Sequence, residues 1–132
     1  MRYMLDTNIC IYIIKKKPPQ ILERFKTFHV SDIGISSITF AELEYGVTKS
    51  SRPQQNREAL SEFLAPIEII PFDDQAAIHY GEIRTYLEKK GKSIGAMDML
   101  IASHARSLTV TLITNNTREF KRVPEVNLEN WV

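Results

Sequence analysis

Cysteine is nearly absent from this sequence. Its 132 residues include a single cysteine, Cys10, which excludes an internal disulfide and any zinc cluster built from cysteine thiolates. We expect this side chain to pack as a small apolar residue in the core.

Long apolar runs are missing as well. A membrane-spanning helix needs about 20 consecutive apolar residues, and the apolar stretch near the N-terminus is interrupted by Asp6 and Asn8. The first residues also lack the basic segment and the longer apolar segment of a secretory signal peptide. A cytoplasmic protein without a membrane partner is the simplest expectation.

An excess of charge of one sign is also lacking, since the chain has 17 basic and 16 acidic residues. The total charge therefore gives no argument for nucleic-acid binding. Basic residues do form local clusters, at Lys15–Lys17, Lys49 with Arg52, Lys89 and Lys90 with Lys92, and Arg118 with Lys121 and Arg122. Each cluster taken alone is typical of a solvated helix end.

The residues that are present predict an α/β fold. Apolar residues make up 43% of the chain, enough for a packed core, and the length fits one domain over residues 1–132. Short apolar runs predict strands at 2–5, 33–35, 67–70 and 110–113, with Leu128 as a candidate for a short edge strand. Helical periodicity and helix stop signals predict helices at 9–17, 21–28, 39–46, 53–64, 73–90 and 96–108.

Strands that alternate with helices predict a mostly parallel sheet of four or five strands, covered by helices on both faces. Ligands of such sheets bind at the carboxyl ends of the strands. This rule directs attention to Asp6, to Ser36 and Ser37, and to residues 114–116.

Two acidic residues near the ends of the first two predicted strands have a structural explanation besides a role in ligand binding. Asp6 follows a strand and opens a helix, where Asp commonly caps the helix N-terminus. Thr39 and Glu42 have the spacing of a capping box, in which both side chains bind backbone N–H groups. Both carboxylates nevertheless fall at the predicted ligand-binding edge of the sheet.

Two further acidic residues lie late in the chain. Asp98 borders a stripe of Ile101, Ala102 and Ala105 on its helix, with Met97, Leu100, His104 and Leu108 on the adjoining apolar face, and an unpaired carboxylate beside a buried stripe is costly. The structural explanation for Asp98 is a favourable negative charge in the first turn of its helix. Glu119 follows the turn after the fourth strand. Its structural explanation is that of a surface acid beside Arg118.

The joint placement of these four acids favours a metal site more than any one of them does. Four carboxylates in a partly dry cleft repel one another strongly. A hard divalent cation such as Mg²⁺ or Mn²⁺ prefers oxygen ligands and would neutralise them.

The order and spacing of four segments are similar to those of a known family. The segments are 4–9, with Leu-Asp-Thr-Asn, 35–46, with Ser-Ser-Ile-Thr and Ala-Glu-Leu, 91–105, with Met-Asp-Met-Leu-Ile-Ala, and 112–120, with Thr-Asn-Asn-Thr-Arg-Glu-Phe. In these segments, and in Asn130-Trp131 at the end, the chain resembles PIN-domain nucleases, and more closely the VapC toxins of bacterial toxin–antitoxin pairs.

The resemblance implies a PIN-like domain with metal-dependent endoribonuclease activity. It places the metal-binding, catalytic acids at Asp6, Glu42, Asp98 and Glu119, with Thr7 and Ser37 as polar residues that support them. Many PIN domains carry Asp at the position of Asn116, which weakens a second metal site here. The resemblance then assigns that acidic role to Glu119 and leaves Asn116 in support.

The resemblance also implies partners. They are a second copy of the chain in a homodimer, a VapB-like antitoxin whose tail blocks the site, and a structured RNA substrate such as the anticodon loop of initiator tRNA. Operator DNA is expected to be contacted only through the antitoxin complex.

Other functions fit the residues less well. A haloacid-dehalogenase-like phosphotransferase needs a second Asp two residues after Asp6, where this chain has Asn8, and a receiver domain needs a Lys after a late strand, where it has 114–116. A degenerate PIN domain that only binds RNA or protein stays open as an alternative. The three histidines show no metal-ligand spacing, and His104 is predicted to face the core.

Overall fold

A five-stranded, wholly parallel sheet forms the centre of the molecule. The computed structural model describes all residues from 1 to 132. The strands are β1 Tyr3–Leu5, β2 Ile33–Ser36, β3 Glu68–Ile70, β4 Thr111–Ile113 and β5 Asn127–Glu129. Their order across the sheet is β3-β2-β1-β4-β5, and every neighbouring pair is parallel. The predicted α/β class and the mostly parallel sheet of four or five strands are confirmed.

Seven α-helices and one turn of 3₁₀ helix connect and cover the strands. They are α1 Thr7–Lys15, α2 Pro19–Lys26, the 3₁₀ turn Val30–Asp32, α3 Ser37–Lys49, α4 Pro53–Leu64, α5 Asp74–Lys90, α6 Ala96–Leu108 and α7 Thr117–Phe120. None of these helices has the length and apolar character needed to cross a membrane.

The two faces of the sheet have separate cores because successive strand residues point to opposite sides. On β1, Leu5 packs into a core formed with α1 to α4, whereas Met4 packs into a core formed with α5 and α6. On β4, Ile113 joins the first core and Leu112 the second. All four side chains are fully buried, so the central strands are apolar on both faces, as in sheets with helices on both sides.

Local signals set most helix ends. Asp6 caps α1 by accepting a hydrogen bond from Ile9 N. Asp73 caps α5 in the same way, and α5 ends at Gly91, whose left-handed backbone (φ 64°) suits glycine. Pro19 stands at the first position of α2, where its missing N–H leaves no bond unmade.

The sequence prediction was wrong about the start of α3. The helix begins at Ser37, two residues before the predicted Thr39, because Ser36 is extended and its hydroxyl accepts a hydrogen bond from Ile38 N. The expected apolar face of α6 was also partly wrong, since Met97 is 48% exposed and Leu108 is 38% exposed. Short α7 was not predicted at all.

Candidate active site

Three neighbouring strands deliver polar residues to one edge of the sheet. β1 is followed by Asp6, β2 ends at Ser36, and β4 is followed by Thr114. All three side chains are buried. The expectation that the strand ends gather these segments is met, since β2, β1 and β4 are adjacent.

Asp6 is the most deeply buried acid of the candidate site, with 3% of its surface exposed. Its Oδ1 accepts a hydrogen bond of 2.9 Å from Ile9 N, so it does cap α1. The pKa of Asp6 is raised to about 6, mainly by burial and in smaller part by the negative charges of Asp98 and Glu42, while the Thr114 hydroxyl and the Ile9 amide oppose the change. A capping residue does not need acidic neighbours, so the surroundings of Asp6 indicate a role beyond capping.

Glu42 is not part of a capping box. Its Oε1 accepts a hydrogen bond of 2.5 Å from the Thr7 hydroxyl, whereas the predicted partner Thr39 is buried inside α3 and lies 3.5 Å from Thr7 between hydroxyl oxygens. The box fails because α3 starts earlier, which places Glu42 in the second turn. Thr7 therefore orients Glu42, as expected of a supporting residue.

Asp98 lies in the first turn of α6 and is partly buried. Burial raises its pKa, and the charges of Glu42 and Glu119 raise it further. Gly95, directly before α6, adjoins this carboxylate: a Cβ there would be in ordinary van der Waals contact with Asp98 Oδ2, at 3.7 Å. Asp98 borders a buried stripe of its helix, as predicted, since Ile101, Ala102 and Ala105 are fully buried.

Glu119 belongs to α7 and is held by a hydrogen bond from Asn116. Asn116 Nδ2 donates a hydrogen bond of 3.0 Å to Glu119 Oε2. The Asn116 backbone is fixed in turn by its N–H, which donates to the Thr114 hydroxyl at 2.9 Å. Asn116 thus positions the acid that lies three residues later.

Ser37 supports the backbone of the site and bonds to none of its carboxylates. Its hydroxyl accepts a hydrogen bond of 3.0 Å from Phe72 N, which follows β3. The neighbouring Ser36 hydroxyl lies 2.8 Å from His104 Nδ1. His104 is 1% exposed, as predicted for a core-facing residue, and burial lowers its pKa.

The electrostatics link the four acids, although their carboxylates do not form a ready-made cage. The pKa of Asp98 responds to Glu42 and Glu119, and that of Asp6 responds to Asp98 and Glu42. No three acidic or imidazole side chains converge closely enough to surround one ion directly. This all-oxygen donor set fits a hard cation that keeps several water ligands, as Mg²⁺ does.

A mostly apolar groove of about 300 Å³ adjoins the acids between α1, α3 and α4. Glu42 lies on its wall, together with apolar residues such as Ile11, Ile14, Val47 and Leu60. Lys15 contributes a cation from the last turn of α1. The groove thus combines an apolar surface with access to one carboxylate of the site.

Thr114 is a site residue whose role was missed by the sequence analysis. Its hydroxyl stabilises the ionised form of Asp6 and accepts from Asn116 N. Its position directly after β4 was a usable signal, since that is where ligand-binding residues of parallel sheets occur.

Comparisons with known proteins show the family to which the chain belongs. A family model described as the PIN domain matches residues 3–126. A protein of Rickettsia felis named ribonuclease VapC2 is 51% identical, over 99% of this chain and 98% of its own length. This chain is a PIN domain of the VapC family. The resemblance inferred from the sequence is confirmed.

Further VapC relatives support the assignment. A protein of Salmonella typhimurium named tRNA(fMet)-specific endonuclease VapC is 46% identical over 99% of this chain and 98% of its own length. The solved structure of VapBC2 from Rickettsia felis bound to a promoter DNA fragment contains a similar chain, with a TM-score of 0.93 and 49% identity over all of both chains. DNA-bound VapBC from Salmonella typhimurium has a TM-score of 0.95 at 45% identity, covering 100% of this chain and 99% of the other.

Proposed function

We propose that this chain is a VapC-type toxin: an endoribonuclease, dependent on Mg²⁺ or Mn²⁺, that hydrolyses RNA phosphodiester bonds. The observation that carries the proposal is that four acids lie near enough at the carboxyl edge of the sheet to affect one another's ionisation. They are Asp6, Glu42, Asp98 and Glu119. A carboxyl group whose pKa is raised by burial together with specific charged neighbours is a candidate functional group. The VapC relatives named as ribonucleases supply the reaction class.

Each acid has a role in this proposal. Asp6, Glu42 and Asp98 would hold one divalent cation, in part through its water ligands, and Glu119 would help Asp98 to hold a second when RNA is bound. A bound divalent cation lowers the pKa of a water molecule and stabilises charge on a phosphate. Thr7 and Asn116 keep Glu42 and Glu119 oriented through their hydrogen bonds, as outer residues of metal sites commonly do.

The substrate we propose is a structured RNA, with initiator tRNA as the first candidate. The support is the 46% identity to a relative named a tRNA(fMet)-specific endonuclease. Because such RNA is cytoplasmic, we place the activity in the cytoplasm.

The apolar groove between α1, α3 and α4 is the proposed site for a VapB-like antitoxin. An amphipathic segment would cover Ile11, Ile14 and Leu60, and a basic side chain from it would reach Glu42. Related chains have been solved as VapBC complexes on DNA, which supports contact with operator DNA through the antitoxin. The homodimer stays a prediction, for which exposed Ile78 and Met97 are candidate contact residues.

Expression in a bacterium tests enzyme, site and biological role together. We expect the wild-type protein to arrest growth, Asp6→Asn to permit growth, and co-expression of the cognate antitoxin to restore growth of the wild-type strain. Asp74→Asn is the matched control, because this exposed acid lies in the first turn of α5, after the edge strand β3, and contributes to the pKa shift of neither Asp6 nor Asp98. Equal growth with wild-type and Asp6→Asn protein at equal expression would refute the toxin function.

A further inference from the structure

A second pocket, outside the acidic site, has cations as four of its six lining residues. It has a volume of about 330 Å³ and is lined by Tyr86, Leu87, Lys90, Lys92, Lys121 and Arg122. We call it the basic pocket. Its residues come from the end of α5, the following turn and the segment after α7.

The fold joins two basic clusters that are separate in the sequence. Leu87 is fully buried and anchors the end of α5, and its carbonyl accepts a hydrogen bond of 3.0 Å from Lys92 N across the left-handed turn at Gly91. Arg122 Nη1 donates to the Ser93 carbonyl at 3.3 Å and so links the second cluster to the same turn. The pocket is thus built by tertiary contacts as well as by local charge.

The charges of the basic pocket are not neutralised within the chain. No acid lines the pocket, and its four cations take part in none of the four ion pairs of the structure. The chain as a whole carries a formal charge of only +1, so this concentration of positive charge is local. Such a surface suits a ligand that carries several negative charges.

Tyr86 narrows the class of ligand. Tyr86 lines the pocket and is 42% exposed, and Lys90 Nζ lies over its ring at 5.7 Å from the centroid. An aromatic ring beside several cations is the combination that binds single-stranded nucleic acid, with bases stacked on the ring and phosphates bound by the cations. An acidic peptide would use the cations but has no need of the ring.

The basic pocket is close to the candidate active site along the chain. Arg122 N donates a hydrogen bond of 3.0 Å to the Glu119 carbonyl, one turn away. On the other side, the segment from Lys92 to Gly95 leads directly into α6, whose first turn carries Asp98. The two segments that build the pocket are therefore continuous with the helices that carry Asp98 and Glu119.

We propose that the basic pocket binds the single-stranded RNA segment that flanks the scissile bond, through its phosphates and one base stacked on Tyr86. The inference rests on the proposed ribonuclease function and adds a substrate-binding site to it. It also predicts a preference for unpaired RNA, because bases within a duplex are not free to stack on a side chain.

The test measures binding of a labelled single-stranded RNA of about 12 nucleotides in EDTA, which prevents metal-dependent cleavage. Lys92→Gln/Lys121→Gln removes two pocket charges, and Lys26→Gln/Lys89→Gln is the matched control at exposed sites outside the pocket. Each phosphate contact contributes about 0.7 to the slope of log affinity against log salt. From 50 to 200 mM salt, wild-type affinity should therefore fall about sevenfold more than that of the pocket variant.

The aromatic contact is tested in parallel. Tyr86→Leu should weaken binding at least about fivefold, whereas Tyr86→Phe should bind normally. Tyr45→Leu is the matched control, because Tyr45 is 66% exposed and lies under Lys49 Nζ at 4.7 Å, outside the pocket.

Several results would overturn the inference. They are the absence of wild-type binding at 50 mM salt, equal losses in the pocket and control pairs, and pocket-dependent binding of a polyglutamate peptide without pocket-dependent binding of RNA. The proposed function is judged separately, by Mg²⁺-dependent cleavage of initiator tRNA, the substrate proposed above. Cleavage without pocket-dependent binding refutes the basic pocket alone, whereas pocket-dependent binding without cleavage supports the pocket and refutes the ribonuclease.

Discussion

The Thr7 hydroxyl donates a hydrogen bond of 2.5 Å to Glu42 Oε1 across 35 positions of sequence. The bond joins the first turn of α1 to the second turn of α3 and fixes the direction of a carboxylate on the wall of the apolar groove. It also explains why Glu42 is available to the site instead of capping its own helix.

Loss of the Thr7 hydroxyl should weaken metal binding with little effect on the fold. We expect Thr7→Val to raise the Mg²⁺ or Mn²⁺ concentration for half-maximal RNA cleavage by roughly 10- to 100-fold, as outer-residue changes do in other metal sites. Thr7→Ser keeps the hydroxyl and is the control. Equal metal requirements for Thr7→Val and Thr7→Ser would show that the bond does not orient a ligand.

The raised pKa of Asp6 predicts a pH-dependent cost to stability in the metal-free protein. Since the folded state favours the protonated form between pH 3.8 and about 6, it binds more protons there than the unfolded state, and stability falls as pH rises through this window. The cost is absent below the window and fully present above it. A shift of this size corresponds to at most about 3 kcal/mol.

Asp6→Asn should remove that cost while Asn retains a capping oxygen. In urea unfolding with EDTA, the free energy of unfolding of Asp6→Asn relative to wild type should therefore increase from pH 4 to pH 7. Asp74→Asn serves as the control and should show no such increase. A difference between Asp6→Asn and wild type that stays constant or shrinks as pH rises would contradict the electrostatic account of Asp6.

Glu119 should be less critical than Asp98. If Glu119 serves only a second ion, Glu119→Gln should lower cleavage by about 10- to 100-fold, and Gln can still accept the bond from Asn116. Glu125→Gln, at an exposed acid after α7, should cleave normally. Complete loss of activity in Glu119→Gln would instead make Glu119 a ligand of the first ion.

The cleavage products should identify the nucleophile. Attack by water leaves a 5′-phosphate and a 3′-hydroxyl, because the ribose 2′-hydroxyl takes no part. Mass spectrometry of the fragments distinguishes these ends from a 2′,3′-cyclic phosphate, and detection of the cyclic product would exclude the proposed hydrolysis.

Much of the site could be predicted because its signals are local. Asp6 and Thr114 follow strands directly, and parallel sheets bring such positions together. Asp98 was distinguishable because Ile101, Ala102 and Ala105 show that its helix borders the core. Glu42 and Glu119 had ambiguous surroundings in the sequence, and a role for them was favoured by their joint placement with Asp6 and Asp98 and then by the resemblance to PIN domains.

What could not be predicted depends on contacts between distant residues. Thr39 at the right spacing from Glu42 suggested a capping box, but Ser36 at the end of β2 caps α3 and Thr7 takes up the carboxylate. The basic pocket is of the same kind, since no local pattern shows that Arg122 meets the carbonyl of Ser93. In both cases contacts between distant parts of the chain determine which of several locally possible partners a side chain binds.

RNA cleavage by purified Asp98→Asn tests the central claim most directly. With Mg²⁺ or Mn²⁺ added, the wild-type protein and the control Asp74→Asn should cleave RNA, and EDTA should stop both. Asp74 is the matched control because, like Asp98, it lies in the first turn of a helix. Asp98→Asn should be folded and inactive under the same conditions. Cleavage by Asp98→Asn at the wild-type rate would show that the carboxylates at this edge of the sheet are not the catalytic centre.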